Sequence, residues 1–406
     1  MRRVVITGLG AVTPLGNDVA STWDGLKSGR SGISRLTTFD CSTFPVRIAG
    51  QVTGFAGERG LSRAAGFGLA AAREALADAG EGWRAIPPRE RGVAFGGTVG
   101  RPELDELTEL ADRLETGELP RQRTGEVRRR EQNTGIAAIA RAGDCRGPFV
   151  SVSTACAGAA HALGEAMRRI QEGDCRLVLA GGFDALTTWL DVLGFALLRA
   201  LTSEYDDEPA RASRPFDARR SGFVLGEGAV VAVLEDAEHA AARGARVHGE
   251  LLGYGSTLNA YRITDSPPDG GGAAGAMRKA LAESGVEASE VDYVAAHGTG
   301  TPGNDLSETR AIKAVFGEHA AALSVSSPKS MTGHLTSAAA GVNLVAAVGA
   351  LREQLVPPTI NLEHPDPELD LDYVPGTARR RPVRTACVNA FAFGGANASF
   401  VLGAPR

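Results

Sequence analysis

The chain has 406 residues, 43% of them hydrophobic and 22% charged, with a formal net charge of −5; this is the balance of a soluble globular protein long enough for two domains or two fused halves. The mild acidity gives no basis for nucleic-acid binding, and no apolar run reaches the ~18 residues of a membrane span. The five cysteines form neither a CxxC pair nor a His/Cys cluster with metal-ligand spacing, so no metal site is expected, and an odd count in a chain read as cytoplasmic argues against a disulfide framework.

In chain order, "RRVVITG" (2–8) opens the molecule as a buried strand. Glycines break its apolar run and no small-residue cleavage site follows, so it is not read as a signal peptide. Further strands are expected at 92–98, 148–154, 176–182 and 230–236, then at 247–255, 291–298, 322–328, 385–391 and 398–403. Alanine-rich helices are expected at 62–79, 157–172, 273–285, 305–316 and 336–353. The alternation predicts an α/β fold with largely parallel, buried strands. Residues 101–133 are highly charged and read as an exposed helix or lid-like excursion near a partner; the Pro-rich stretch 354–384 reads as an irregular surface wrap.

A repeat is legible in this order. A strand at 148–154 runs through Cys156 into an Ala/Gly-rich helix, and a strand at 322–328 runs through Lys329 and His334 into another. Two similar halves, 1–245 and 246–406, would account for the length, with the two Ala/Gly-rich helices packed face to face as a central layer.

Cys156, in "SVSTACAGAAHAL", sits where a strand turns into a helix. Exposed N–H groups and the positive helix end favour a thiolate there, and the cysteine's own N–H could hold an oxyanion. Two readings stand, a small buried hydrophobe or a nucleophile. His297, in "AAHGTGTP", and His334, in "SPKSMTGHL", each follow a strand in a Gly/Ser/Thr-rich turn from which side chains can converge on a cleft. His239, His248, His319 and His364 read as hydrogen-bonded core or surface groups.

Five strings taken together, "STACAGAAHAL", "SRPFDARRSGFVLGEGA", "HGTGTPGND", "PKSMTGH" and "NAFAFGGANASFVL", resemble the β-ketoacyl-[acyl-carrier-protein] synthases, condensing enzymes of the thiolase superfamily, over essentially the whole chain. The resemblance implies a thiolase-like fold, a five-layer α-β-α-β-α sandwich. It also implies the decarboxylative condensation of an acyl chain with malonyl-acyl carrier protein. Carried over by residue, Cys156 would take the acyl chain, and His297 and His334 would donate Nε2–H bonds to the malonyl thioester carbonyl. Lys329 would hold His334 and the local charge network, of which Glu308 would be a buried part. Without the resemblance Glu308 reads as a helix-surface carboxylate. Phe393 would be a gate whose N–H completes the oxyanion hole, Gly394 and Gly395 would let its loop move, and Thr299 and Thr301 would bind the phosphopantetheine arm.

No cofactor is implied, because the phosphopantetheine belongs to the acyl carrier protein; the other implied partner is a second subunit, identical or a related chain-length subunit, with no nucleic acid or membrane. Asn259 and Arg262 in "NAYRITDSPPDG", Ser221 in "RRSGF" and the "ND" of "TPGNDLSETRAI" depart from the housekeeping pattern and favour a polyketide or polyene ketosynthase. The alternatives are a fatty-acid elongation synthase, a non-catalytic chain-length partner lacking the nucleophile, and a thiolase, which would use a second cysteine for which Cys387 is the candidate.

Overall fold

The computed structural model describes residues 1–118 and 124–405. Ten strands form one sheet: β1 (Val4–Val12), β2 (Arg91–Gly96), β3 (Phe149–Val152), β4 (Leu177–Ala185), β5 (Glu227–Asp236), β6 (Gly249–Leu258), β7 (Tyr293–Ala295), β8 (Ser324–Ser326), β9 (Thr385–Phe391) and β10 (Ala396–Gly403). Their spatial order is β8-β7-β9-β10-β6-β1-β5-β4-β2-β3. Counted outward from the β1–β6 junction, each half lays its first, fifth, fourth, second and third strands in the same sequence. The junction is antiparallel, as a two-fold relation between equivalent strands requires.

The sheet is mixed, which corrects the expectation of largely parallel strands. Pairs β2–β3, β2–β4, β7–β8 and β7–β9 are parallel, whereas β1–β5, β4–β5, β6–β10, β9–β10 and β1–β6 are antiparallel. β1, β5 and β9 are buried along their whole length, so their apolar runs lack the alternation of a one-sided sheet. The runs report cover on both faces, not strand direction.

The layering follows from where the helices lie. Helices α1 (Arg63–Asp78) and α2 (Gln132–Ala142) cover the outer face of the first half, and α4 (Gly271–Ser284) and α5 (Pro302–Phe316) lie outside the second. Helices α3 (Gly158–Glu172) and α6 (Ala339–Glu353) touch each other and strands of both halves, giving the thiolase-like α-β-α-β-α sandwich. α6 is buried on every side from Ala339 to Leu351, and its small residues allow that. The outer layer is equally close: a Cβ on Gly10 would lie 1.8 Å from the Ala71 carbonyl oxygen, so only glycine lets α1 approach β1.

The two halves diverge because β1 pairs with β6 only over Val4–Ile6. Beyond that, the N–H groups of Leu9 and Ala11 donate to Asp78 (2.9 Å) and Glu74 (2.8 Å) of α1. Those carboxylates satisfy backbone donors that would otherwise be orphaned at the split.

The charged segment forms the helix Leu104–Glu115, with no buried residue, and the helix Thr124–Arg130; its residues 119–123 lie outside the described ones. The stretch 354–384 is irregular apart from a two-residue pairing of Leu355–Val356 with Arg379–Arg380. Helices Val19–Ser28, Gln132–Ala142 and Trp189–Leu197 were not legible as amphipathic runs: they are short, or continue directly from the charged segment. Among the described residues no helix is long and apolar enough to cross a membrane.

Candidate active site

β3 ends in a tight turn before α3. Ala155 takes a left-handed φ of +44°, which costs a non-glycine residue on the order of 1 kcal/mol, and Ala155–Ala157 form a single 3-10 turn. That turn places Cys156 at the wall of a cavity of about 160 Å³ also lined by His297, His334, Phe223, Phe391, Phe393, Thr299 and Thr301. Six of the residues expected from sequence therefore meet around one space. Cys387 does not: it lies fully buried in β9, its thiol 3.6 Å from Asn389 Oδ1.

The cysteine is 8% exposed. Burial pushes its thiol up to about 11, against the pull of the Lys329 charge and of the backbone N–H groups of Phe393 and of Cys156 itself. Desolvation thus opposes the pull of the helix end toward a thiolate. The Phe393 and Cys156 N–H groups nevertheless both face the sulfur, so a carbonyl carbon bonded to it would set its oxygen between two backbone donors.

Both imidazoles are buried, His297 3% and His334 2% exposed. Burial and the Lys329 charge hold both well below the usual histidine range, and His334 adds to the effect on His297. They are neutral at pH 7, and their tautomers follow from their partners. His334 Nδ1 accepts the Thr336 N–H at 3.1 Å, so its proton sits on Nε2. Lys329 Nζ lies 3.4 Å from His297 Nδ1 and donates to the His297 carbonyl at 2.5 Å, which likewise assigns the His297 proton to Nε2. The rings stand edge to face, centroids 5.4 Å apart.

Behind His297, Glu308 is fully buried in α5 and not on the helix surface. It accepts the N–H groups of His297 (2.8 Å) and Gly298 (2.7 Å) and the Asn389 side-chain amide (3.0 Å), and burial raises its pKa. Lys329, pulled down to about 8 by burial, is held up by Glu308, Cys156 and Asp305. Its ammonium bonds to His297 and not to His334, the partner expected from sequence.

Asp305 clamps the following loop through the N–H groups of Thr299 (3.1 Å) and Gly300 (3.2 Å), while the hydroxyls of Thr299 and Thr301 meet at 2.9 Å. Gly394 and Gly395 do not line the cavity. They form the β9–β10 turn behind Phe393 with φ of +85° and +83°, conformations that only glycine adopts freely.

Sequence reasoning missed Phe223, whose ring packs edge-on against His334 at 5.2 Å and faces Phe393 at 6.4 Å. It lies within the quoted string "SGFVLGEGA", where nothing local separates it from a core aromatic. It also missed Asp184, a fully buried carboxylate at the end of a strand, for which a charged residue closing an apolar run was the only signal. Among the described residues no group of three His, Cys, Asp or Glu side chains could hold a metal ion.

The family described as Beta-ketoacyl synthase, N-terminal domain, matches residues 1–240, and its C-terminal domain matches residues 248–363. The chain is 43% identical to the 3-oxoacyl-[acyl-carrier-protein] synthase 2 of Synechocystis sp., over 98% of this chain and 96% of the relative. Among solved structures it superposes at TM-score 0.92 and 34% identity on a type II PKS acyl-carrier protein in complex with its ketosynthase bound to the hexaketide. It superposes at 0.91 and 35% identity on the ishigamide ketosynthase/chain length factor; in both cases all of each chain is covered.

Proposed function

The chain belongs to the β-ketoacyl synthase family and is an acyltransferase, and from that premise we propose that it condenses an acyl chain held on Cys156 with malonyl-acyl carrier protein. One observation carries the reading: a single cavity holds a cysteine facing two backbone N–H groups and two neutral imidazoles whose Nδ1 atoms are engaged elsewhere.

In the first half-reaction the Cys156 sulfur loses its proton and attacks the acyl thioester. The C–S bond to the phosphopantetheine arm breaks and the carrier's thiol takes up a proton. In the second, the bond between the malonyl carboxylate and its α-carbon breaks. CO2 leaves, and the electron pair forms an enolate whose oxygen accepts the Nε2–H groups of His297 and His334. The enolate carbon then attacks the acyl-Cys156 carbonyl, whose oxyanion is held by the N–H groups of Cys156 and Phe393. Collapse expels the sulfur and leaves a 3-oxoacyl chain on the carrier. Lys329 and Glu308 hold the His297 segment, Thr299 and Thr301 meet the phosphopantetheine arm, and Phe393 with Gly394 and Gly395 gates the acyl side. In this reading residues 1–245 supply the nucleophile and 246–406 the imidazoles.

The substitutions in 259–270 and the polyketide neighbours favour a polyketide or polyene substrate; the 43% identity to a synthase 2 favours fatty-acid elongation. Turnover of saturated against polyunsaturated acyl-carrier proteins, read as 3-oxoacyl product and CO2, separates the two, and failure with every acyl carrier protein rejects the activity itself. A second ketosynthase-like subunit, identical or related, is supported by β3. This edge strand leaves Phe149 49% exposed, and an uncovered apolar edge is a pairing template. Complex mass alone and with a related subunit tests it.

A further inference from the structure

We propose that Asp184 is a positioning residue for His334, acting through Thr336. Asp184, at the end of β4, is 1% exposed, and among the described residues no lysine or arginine pairs with it. Its carboxylate is instead spent on donors from two places. Thr98 Oγ1 lies 2.7 Å from both oxygens, Thr336 Oγ1 donates to Oδ2 at 2.5 Å, and the Ser337 N–H donates to the same oxygen at 3.2 Å. A first-half strand thus holds a second-half turn across the centre of the molecule.

That turn needs holding. Thr336 has φ +46°, a genuine outlier for a β-branched residue, which persists only where its surroundings over-determine it. The bond to Asp184 is one such restraint. The other is the Thr336 N–H, which donates to His334 Nδ1 at 3.1 Å and so keeps the His334 proton on Nε2. Releasing the hydroxyl lets Thr336 relax toward negative φ, which turns its N–H away from the ring. His334 is then free to carry its proton on Nδ1, leaving an acceptor where the enolate needs a donor.

The inference rests on the role proposed for His334, and the experiment separates the two. Asp184→Asn keeps the shape but replaces one acceptor oxygen with a donor; Thr336→Val removes the hydroxyl at equal volume, and Thr336→Ser retains it. Asp184→Asn and Thr336→Val should each slow malonyl-carrier decarboxylation ~10- to 100-fold, the scale of a misplaced catalytic group. Acyl transfer to Cys156 and the KM for malonyl carrier should stay within about threefold of the parent, and Thr336→Ser should behave as the parent. Ring-nitrogen NMR of histidine-labelled protein should show His334 moving from Nε2–H toward Nδ1–H in the two impaired variants. Unchanged decarboxylation in both, or equal loss of both half-reactions, overturns the proposal. If Asp184→Asn does not fold, the Thr336 pair decides. His334→Ala is the reference: if it decarboxylates normally, the role given to His334 fails; if it is impaired while the Asp184 and Thr336 variants are not, only this inference fails.

Discussion

Two turns in this molecule are built alike and used differently. In the first half β3 leads through Ala155 at φ +44° to Cys156 and α3; in the second β8 leads through Thr336 at φ +46° to Ser337 and α6. Each pairs a left-handed residue with a single 3-10 turn, and the turns meet at the centre, where a Cβ on Gly158 would lie 3.0 Å from the Ser337 Cβ. Ser337 therefore stands where Cys156 stands in the other half. The repeat supplied one backbone device twice: one copy carries the thiol, and the other locks the ring of a histidine two residues upstream. Duplicated scaffolding does not oblige duplicated chemistry.

The comparison breaks most completely at the thiol. Cys156→Ala should abolish acyl-enzyme formation, a loss beyond about a thousandfold, while shifting folding stability by less than ~1 kcal/mol because the side chain is small. Mass spectrometry of the protein after exposure to acyl-carrier protein, with thermal unfolding alongside, reads both; an acylated Cys156→Ala protein would move the nucleophile elsewhere. Next in size, His297→Ala or His334→Ala should slow malonyl decarboxylation about a hundredfold or more, the usual consequence of losing one oxyanion donor, and spare acyl transfer. Equal losses in both half-reactions would mean that the two turns share one task.

Much of the fold that carries these turns could be read from the chain alone. All ten sheet strands and five of the six layer helices fall where apolar runs and alanine-rich stretches place them, because burial selects apolar and small side chains along most of these elements; the half-exposed edge strand β3 was legible from its β-branched residues instead. Cys156, His297 and His334, which line one cavity, could be singled out as candidates because motif strings fix residue type and spacing together. The mixed direction of the sheet was not legible, since a doubly covered antiparallel strand such as β5 has the same apolar run as a parallel one. Asp184 and Phe223 escaped for a related reason. Their contacts are with elements far away in sequence, Thr336 at the head of α6 and His334 before it, and no local pattern encodes those pairings.

The seat of the second turn on β4 offers a smaller test. A Cβ on Gly182 of β4 would lie 2.5 Å from the Ser337 carbonyl oxygen and 2.9 Å from the Ala159 Cβ, so Gly182→Ala must push the second turn and the start of α3 away from the strand. It should cost ~1–3 kcal/mol of folding stability. At Gly194, inside the helix Trp189–Leu197, a Cβ meets nothing within 4 Å, and Gly194→Ala should add about 0.5–1 kcal/mol through helix propensity. Chemical unfolding of the two variants checks both signs. A neutral Gly182→Ala would show that the second turn and α3 yield to the strand and are not wedged against it.

The subtlest expectation concerns the charge state of the first turn. With the Cys156 thiol at about 11, the thiolate is a minor species at pH 7, and its fraction rises about tenfold per pH unit while pH stays well below that value. Alkylation of Cys156 by iodoacetamide should therefore climb through pH 7 with no plateau. Lys329 titrates near 8 and its charge favours the thiolate. As pH passes 8 the ammonium is lost, the thiol becomes harder to ionise, and the climb should fall below tenfold per unit. Lys329→Met should remove that bend: slower alkylation below pH 8 and a straight dependence through it. Site-resolved mass spectrometry distinguishes Cys156 from Cys175 and Cys387, both pushed up to about 12 by burial and expected to react more slowly still. A plateau for Cys156 between pH 6 and 8 would show that the helix-end dipoles and backbone N–H groups outweigh desolvation after all, and that the first turn stores a thiolate rather than a thiol.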